Sequence, residues 1–377
     1  MAPASGVPYL AFAATFVLAF GLSLALTPLA RRLGERMGIV AMPGGRRRHR
    51  GAISRLGGVP LYLSFVIAVL ASQLFVFDPT ALPTDLPGAL VIARFDLKEV
   101  IRLAGLLIGT TFIFLVGLYD DWREMKPLPQ YIAQIIAAAI AVLFWIVIEY
   151  INNPLTGLQT PDFPYLVTIT VTLFWLGLMM NTVNWLDGID GLAAGVVALA
   201  CVVLFINGVF RLEPPQHSVA LLPMALLGAV LGFLPFNFAP ARIFLGSSGA
   251  YFLGYVLAVL SIIGGAKMAA ILLVMGLPLL DVAWQIVSRL SRGQNPVEGD
   301  RGHLHFRLLD IGLTHRQIAL GYYVFCAVFG GLALLIPSRL YKLVALLVMG
   351  LIALLGFVWL SRHRLPKGED EKERPGA

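Results

Sequence analysis

The sequence predicts an all-α polytopic membrane protein of about 11 transmembrane helices, with the N-terminus outside and the C-terminus in the cytoplasm. Three observations lead there. Hydrophobic residues make up 58% of the chain and charged residues 13%, whereas an ordinary soluble domain carries roughly 25% charged residues. Apolar runs of about 20 residues, enough to cross a hydrocarbon core of roughly 30 Å, recur along the whole chain. Lys and Arg, finally, are shared unequally between alternate loops. No stretch remains for a separate soluble domain, so residues 1–377 read as one integral membrane unit, with 362–377 as a charged cytoplasmic tail.

In chain order the spans read as 8–28, 58–78, 100–119, 131–150, 164–180, 191–209, 218–235, 248–264, 267–287, 318–336 and 341–361. The opening "MAPASGVPYLAFAATF" lacks the basic start of a secretory signal, so the first span reads as a retained helix. Only "GGAK" divides the eighth span from the ninth. Fusing those two would invert everything downstream, and the basic loop "SRGQNPVEGDRGHLHFR" argues against it. Of the 28 Lys and Arg, 21 fall in the odd-numbered loops and the tail and 7 in the even-numbered loops. Cytoplasmic loops carry the excess, which sets the orientation. Cys201 and Cys326 both sit in apolar runs and read as small packed hydrophobes.

A second regularity is independent of the charge count. "GGRRRHRGAISRLGG", "DDWREMKP", "NTVNWLDGID", "PFNFAPARIFLGSSG" and "VEGDRGHLHFRLLD" all lie in odd loops. Loops are polar in any case, which accounts for the arginines. It does not account for acidic pairs pressed against apolar helices, where each charge costs about 2.5–3.5 kcal/mol on insertion scales.

Asp120 and Asp121 directly follow "FLVGLY". Adjacent carboxylates at a membrane boundary repel and lose hydration, so something positive should compensate them, and a hard divalent cation does so well. A solvated helix end with Arg123 and Lys126 nearby is the plain alternative. Asn181, Asn184, Asp187 and Asp190 recur every three residues, a ladder of oxygen donors along one helix face; an ordinary helix cap would account for only one of the four. This oxygen set suits Mg²⁺, with Mn²⁺ as a substitute, since Mg²⁺ uses one or two carboxylates plus substrate phosphates. His303 and His305, without a nearby cysteine, make a poor zinc signature and a better phosphate clamp with Arg301 and Arg307. His49 and Arg55, ahead of Gly57 and Gly58, offer a further phosphate contact, whereas Arg46, Arg47, Arg48 and Arg50 need do no more than hold their loop inside. Together these features suggest phosphoryl transfer between a nucleotide-linked donor and a lipid acceptor. Ion-coupled transport and lipid flipping stay open on the same residues.

"RRRHRGAISRLGG", "GLYDDW", "NTVNWLDGIDGLAAG", "GFLPFNFAPARIFLGSSG" and "GDRGHLHFRLLDIGLTHRQ", in this order, resemble the polyprenyl-phosphate N-acetylhexosamine-1-phosphate transferases. The likeness covers about residues 30–320, and Phe306 with "RLLDIGLTHRQ" resembles the GlcNAc-type branch. It implies that a polyprenyl phosphate attacks the sugar-linked phosphate of a UDP-N-acetylhexosamine and releases UMP, at the cytoplasmic face of a bacterial plasma membrane. By resemblance, Asp120 and Asp121 are the acidic pair that orients or deprotonates the lipid phosphate. Asn184, Asp187 and Ser247 are the metal positions; His49, Arg55, Asn181, Asp190, Asn237, Arg301, His303, His305 and Arg307 bind substrate. The implied partners are the UDP sugar, the polyprenyl phosphate and membrane lipids, with no nucleic acid and with a homodimer allowed.

Four positions depart from the pattern. Ser247 stands where family members carry a metal-binding Asp, Gln130 where a lysine is usual, Ala41 for an Asp, and Phe306 for a histidine. One acid and one base are thus lost together, which leaves the formal charge of the site nearly unchanged and favours a divergent working enzyme. A catalytically silent lipid-binding or scrambling protein is the alternative.

Overall fold

The structure, a computed structural model, describes residues 6–42, 51–263, 268–293 and 302–362. Along the chain run α1 (Tyr9–Met37), α2 (Gly58–Ser72), α3 (Lys98–Arg123), α4 (Pro127–Leu143), α5 (Tyr165–Leu186), α6 (Leu192–Phe210) and α7 (His217–Asn237). These are followed by α8 (Gly246–Ile262), α9 (Met268–Val274), α10 (Gly276–Leu290), α11 (Leu304–Asp310), α12 (His315–Leu335) and α13 (Arg339–Arg362). Strands are confined to two short pairs: β1 (Val40–Ala41) antiparallel to β2 (Ile53–Ser54), and β3 (Val76–Phe77) parallel to β4 (Ile92–Ala93). In lipid every backbone polar group must be satisfied within its own segment, which is why apolar runs become helices.

All eleven expected spans are largely helical, but they do not all qualify alike. Among the described residues 8 helices are long and apolar enough to cross a membrane, or up to 9 if the bent pair α9 and α10 counts as one. The two others, α4 and α8, have 17 residues each. The fourth span, expected over 131–150, stops at Leu143. Trp145 there adopts a positive φ of 59°, and the β-branched run Ile146–Val147–Ile148 leaves the helix to pack against α5, where the Ile148 amide donates to Thr172 Oγ1 at 2.9 Å. The ninth, expected as one helix over 267–287, is broken into α9 and α10 with a bend of 76°. Pro278 explains the break, because it has no N–H for the carbonyl of Val274 and its ring collides with that carbonyl. The "GGAK" link itself lies outside the described residues. A helix not expected at all, α11, forms inside the last basic loop.

α8 is the axis of the bundle. It is buried along nearly its whole length between α2, α3 and α5, as suits a helix apolar all round. α1 packs mainly on α7, and α6 on α7 and α12. Contacts between loops sort the ends of the helices. Arg55 meets Asp121 and Glu124, the amides of Ser247 and Ser248 meet Asp121, and Asp190 meets Ala241 and His315. Glu99 meets Ser218, and Arg339 meets Gly157, among the even loops. Odd loops thus join odd loops and even loops join even ones.

Candidate active site

The acidic pair closes α3 beside the start of α8, and its two members have different surroundings. Both are buried, Asp120 at 4% and Asp121 at 3% exposure. Asp121 Oδ1 accepts from the Ser247 amide at 2.8 Å; its Oδ2 accepts from the Ser248 amide at 3.0 Å and from Ser248 Oγ at 2.6 Å. Arg55 Nε stands 3.5 Å from Oδ1, while Arg55 Nη1 reaches Glu124 at 3.0 Å. This carboxylate therefore serves as the N-cap of a helix remote in sequence, satisfying amides that have no partner inside α8. Gly246 makes the approach feasible. Its φ is +73°, and a Cβ there would lie 2.2 Å from the Arg55 carbonyl oxygen and 2.6 Å from Asp121 Oδ2.

Asp120 uses only Oδ1, which accepts from the Met125 amide at 2.7 Å and from Gln130 Nε2 at 3.0 Å; Oδ2 carries no hydrogen bond among the described residues. Among the described residues the pair is held by protein donors, with Arg55 as the positive group beside Asp121. Gln130 also accepts from Tyr251 at 3.0 Å. A lysine at 130 could donate to Asp120 but could not accept from Tyr251, so the amide suits this neighbourhood.

The donor ladder of α5 is only partly realised. Asn181 pairs reciprocally with Gln134 of α4, at 2.6 and 3.3 Å, and donates to Gly177 O. That side chain is a link between helices. Asn184 and Asp187 follow on the last turn, both half-buried, with Asp187 as the C-cap. The helix stops at Leu186, so Asp190 leaves the face the ladder assigned to it. Its Oδ2 accepts from the Ala241 amide at 3.0 Å, and Oδ1 lies 3.5 Å from His315 Nδ1. Asn237, buried at 2%, donates to Ile243 O at 3.0 Å and closes the loop 238–243.

The last motif packs against the end of α5 and the turn that follows it. His303 stacks parallel to His305 with centroids 5.6 Å apart and lies 5.7 Å from the ring of Trp185. His305 Nε2 rests 2.5 Å from where a Cβ on Gly188 would sit, so only glycine leaves room for the ring. His305 is fully buried and neither ring nitrogen has a partner among the described residues. Burial pushes its imidazole down to about 3, which keeps it neutral. Arg307 lies half-buried on α11. His49 and Arg301, with Arg46, Arg47, Arg48 and Arg50, lie outside the described residues.

Two residues at the site escaped the sequence reading. His315, at the start of α12, faces Asp190. Asp281, on α10, is buried at 4% and holds His303 Nδ1 at 3.0 Å and the Leu304 amide at 2.9 Å. A lone carboxylate in "GLPLLDVAWQ" was the available signal, since an ionisable residue in an apolar helix is a functional candidate by default.

The metal positions can be judged by their donors. Asn184 offers an amide oxygen, Asp187 a carboxylate and Ser247 a hydroxyl, and the side chains of Asn184 and Ser247 make no hydrogen bonds among the described residues. No group of three or more His, Cys, Asp or Glu there could hold an ion unaided. One carboxylate with neutral oxygens fits Mg²⁺ that takes its remaining ligands from substrate phosphates and water.

Residues 103–265 match the family model for glycosyl transferase family 4. The chain is 32% identical over 354 residues to the decaprenyl-phosphate N-acetylglucosaminephosphotransferase of Mycobacterium tuberculosis (strain ATCC 25618 / H37Rv), covering 86% of this chain and 82% of that protein. It is 26% identical over 330 residues to the probable undecaprenyl-phosphate N-acetylglucosaminyl 1-phosphate transferase of Bacillus subtilis (strain 168), covering 86% and 84%. Against the undecaprenyl-phosphate alpha-N-acetylglucosaminyl 1-phosphate transferase of Yersinia pestis the identity is 26% over 312 residues, covering 79% and 77%.

Proposed function

Because the chain belongs to glycosyl transferase family 4, in the branch of polyprenyl-phosphate GlcNAc-1-phosphate transferases, we propose that it transfers an N-acetylhexosamine-1-phosphate, GlcNAc-1-phosphate foremost, from a UDP sugar to polyprenyl phosphate. An oxygen of the lipid phosphate bonds to the sugar-linked phosphorus, the bond from that phosphorus to UMP breaks, and UMP departs. The product is a lipid-linked pyrophosphoryl sugar that starts a cell-envelope glycan.

One observation carries this reading: loops from five distant motifs meet at one end of the bundle, joined by the contacts of Asp121, Asp190 and His305. Asp120, with an uncommitted oxygen, orients the lipid phosphate or takes its proton. Asp121 holds the start of α8, and with it Ser247, against α3. Arg55, His303 and Arg307 face the phosphate charge; His49 and Arg301, expected beside them from the sequence, lie outside the described residues. Magnesium, or manganese in its place, supplies positive charge against the pyrophosphate when bound by Asn184, Asp187 and Ser247.

The chain sits in a bacterial plasma membrane with eleven crossings and with the motif loops in the cytoplasm. Cysteines introduced at Leu90 and Thr160 react with an impermeant thiol reagent added to intact cells, and one at Leu128 does not; the native Cys201 and Cys326 are buried. Labelling at Leu128 overturns the orientation. For the reaction, purified protein receives radiolabelled UDP-HexNAc donors, polyprenyl phosphate and Mg²⁺. A labelled lipid and UMP are expected, and no lipid product with any donor sinks the reading.

A further inference from the structure

Asp281 is an odd residue for its place. It lies on α10 with Leu, Val and Ala as neighbours in sequence, it is buried, and a charge there is costly. Both carboxylate oxygens are committed to one short segment. Oδ1 accepts from the Leu304 amide at 2.9 Å, and Oδ2 lies 3.0 Å from His303 Nδ1. Fastening that segment to α10 does not need a charge, because Gln285, one turn on, already donates to the carbonyl of Gly302. What a carboxylate adds, and a neutral amide does not, is control over an imidazole. By accepting at Nδ1 it fixes which nitrogen carries the proton in the neutral ring, holds the ring's orientation and stabilises the imidazolium. His303 Nε2 carries no hydrogen bond among the described residues. The ring stacks on His305 and lies 5.7 Å from Trp185, which is next in sequence to Asn184.

We propose that Asp281 is a positioning residue that acts through His303, accepting from Nδ1–H and supplying the negative charge that lets the ring present Nε2–H, as a donor, to the pyrophosphate of the UDP sugar. This rests on the transferase reading above. His303 touches the substrate, and Asp281 governs how.

The test is a double-mutant cycle in the purified full-length protein, with KM measured separately for UDP-GlcNAc and for polyprenyl phosphate, and with UMP binding followed by titration calorimetry. Asp281→Asn keeps an acceptor for Leu304 but puts a neutral amide N–H against Nδ1, which removes the carboxylate charge that balances a ring donating from both nitrogens when phosphate is bound. It should raise the KM for UDP-GlcNAc and weaken UMP binding about tenfold, the scale of one lost charge-assisted contact, and leave the lipid KM unchanged. His303→Asn retains a donor for Asp281 and has nothing at the Nε2 position. It should do the same, and the double variant should be no worse than either single one, because coupled residues are not additive. A wild-type UDP-GlcNAc KM in Asp281→Asn, or additive losses in the double variant, overturns the proposal. If Asp281→Asn does not fold, His303→Asn decides: unchanged UMP binding there overturns the proposal. A wild type that binds UMP but transfers nothing removes the transferase reading alone and leaves the binding arm to judge Asp281. A wild type that binds no UMP overturns both.

Discussion

Asp121→Ala removes an acceptor from three hydrogen bonds, all from the first turn of α8 and two of them from backbone amides, and takes the nearby carboxylate from Arg55. A hydrogen bond to a charged group contributes roughly 1.5–3 kcal/mol, and loss of a helix cap alone costs about 1 kcal/mol. The contributions overlap, and Arg55 keeps Glu124, whose side chain is 78% exposed. The expected destabilisation is therefore about 3–5 kcal/mol, the range found when one member of a buried ion pair is removed. Asp120→Ala loses two hydrogen bonds, from Met125 and Gln130; both donor residues are only half-buried and can turn to water, so it should cost less, about 1–2 kcal/mol. Asp121→Asn should fall between them, since its amide nitrogen would oppose one set of donors. Unfolding by SDS in mixed micelles, followed by tryptophan fluorescence, measures all three. Asp121→Ala within about 1 kcal/mol of wild type, or Asp120→Ala costing as much as Asp121→Ala, would refute the view that Asp121 anchors α8 while Asp120 is left for chemistry.

Gly246→Ala should destabilise the protein by about 2–4 kcal/mol, because it combines a left-handed φ with a clash against backbone; a change under about 1 kcal/mol in the same assay would contradict the geometry. His305 gives a pH dependence of known sign. Burial lowers it from 6.5 to about 3, so in that window the unfolded chain binds a proton that the folded chain refuses. The stability it contributes is present above pH 6.5 and is lost as pH falls toward 3, by about 1.4 kcal/mol per unit. His305→Leu should flatten the stability curve over that window, and an unchanged slope would show that His305 does not stay neutral. Ser247→Asp adds an anionic oxygen at the start of α8 and should lower the Mg²⁺ concentration for half-maximal transfer, whereas an unchanged requirement would place Ser247 away from the metal.

The sequence by itself determined that the chain is a helical membrane protein, and nearly where its helices lie. In hydrocarbon an apolar run has no partner for its backbone except itself, so hydropathy along the chain carries the information. It also marked the polar clusters, because Asp120, Asp121, Asp187 and His303 stand out against apolar neighbours. Helix ends were less legible: the stop at Trp145 and the break before Pro278 depend on packing against α5 and on a local clash within a run that hydropathy reads as continuous. The surroundings of each site residue were decided by tertiary structure alone. Asp120 and Asp121 are adjacent and chemically identical, yet one caps a helix whose first residues lie more than a hundred positions downstream. Likewise Asp190 leaves the α5 ladder because α5 ends before it, and Asp281 acquires meaning only when α11 folds onto α10. A side chain's local surroundings disclose the cost of burying it; which partner repays that cost is fixed only when distant segments meet.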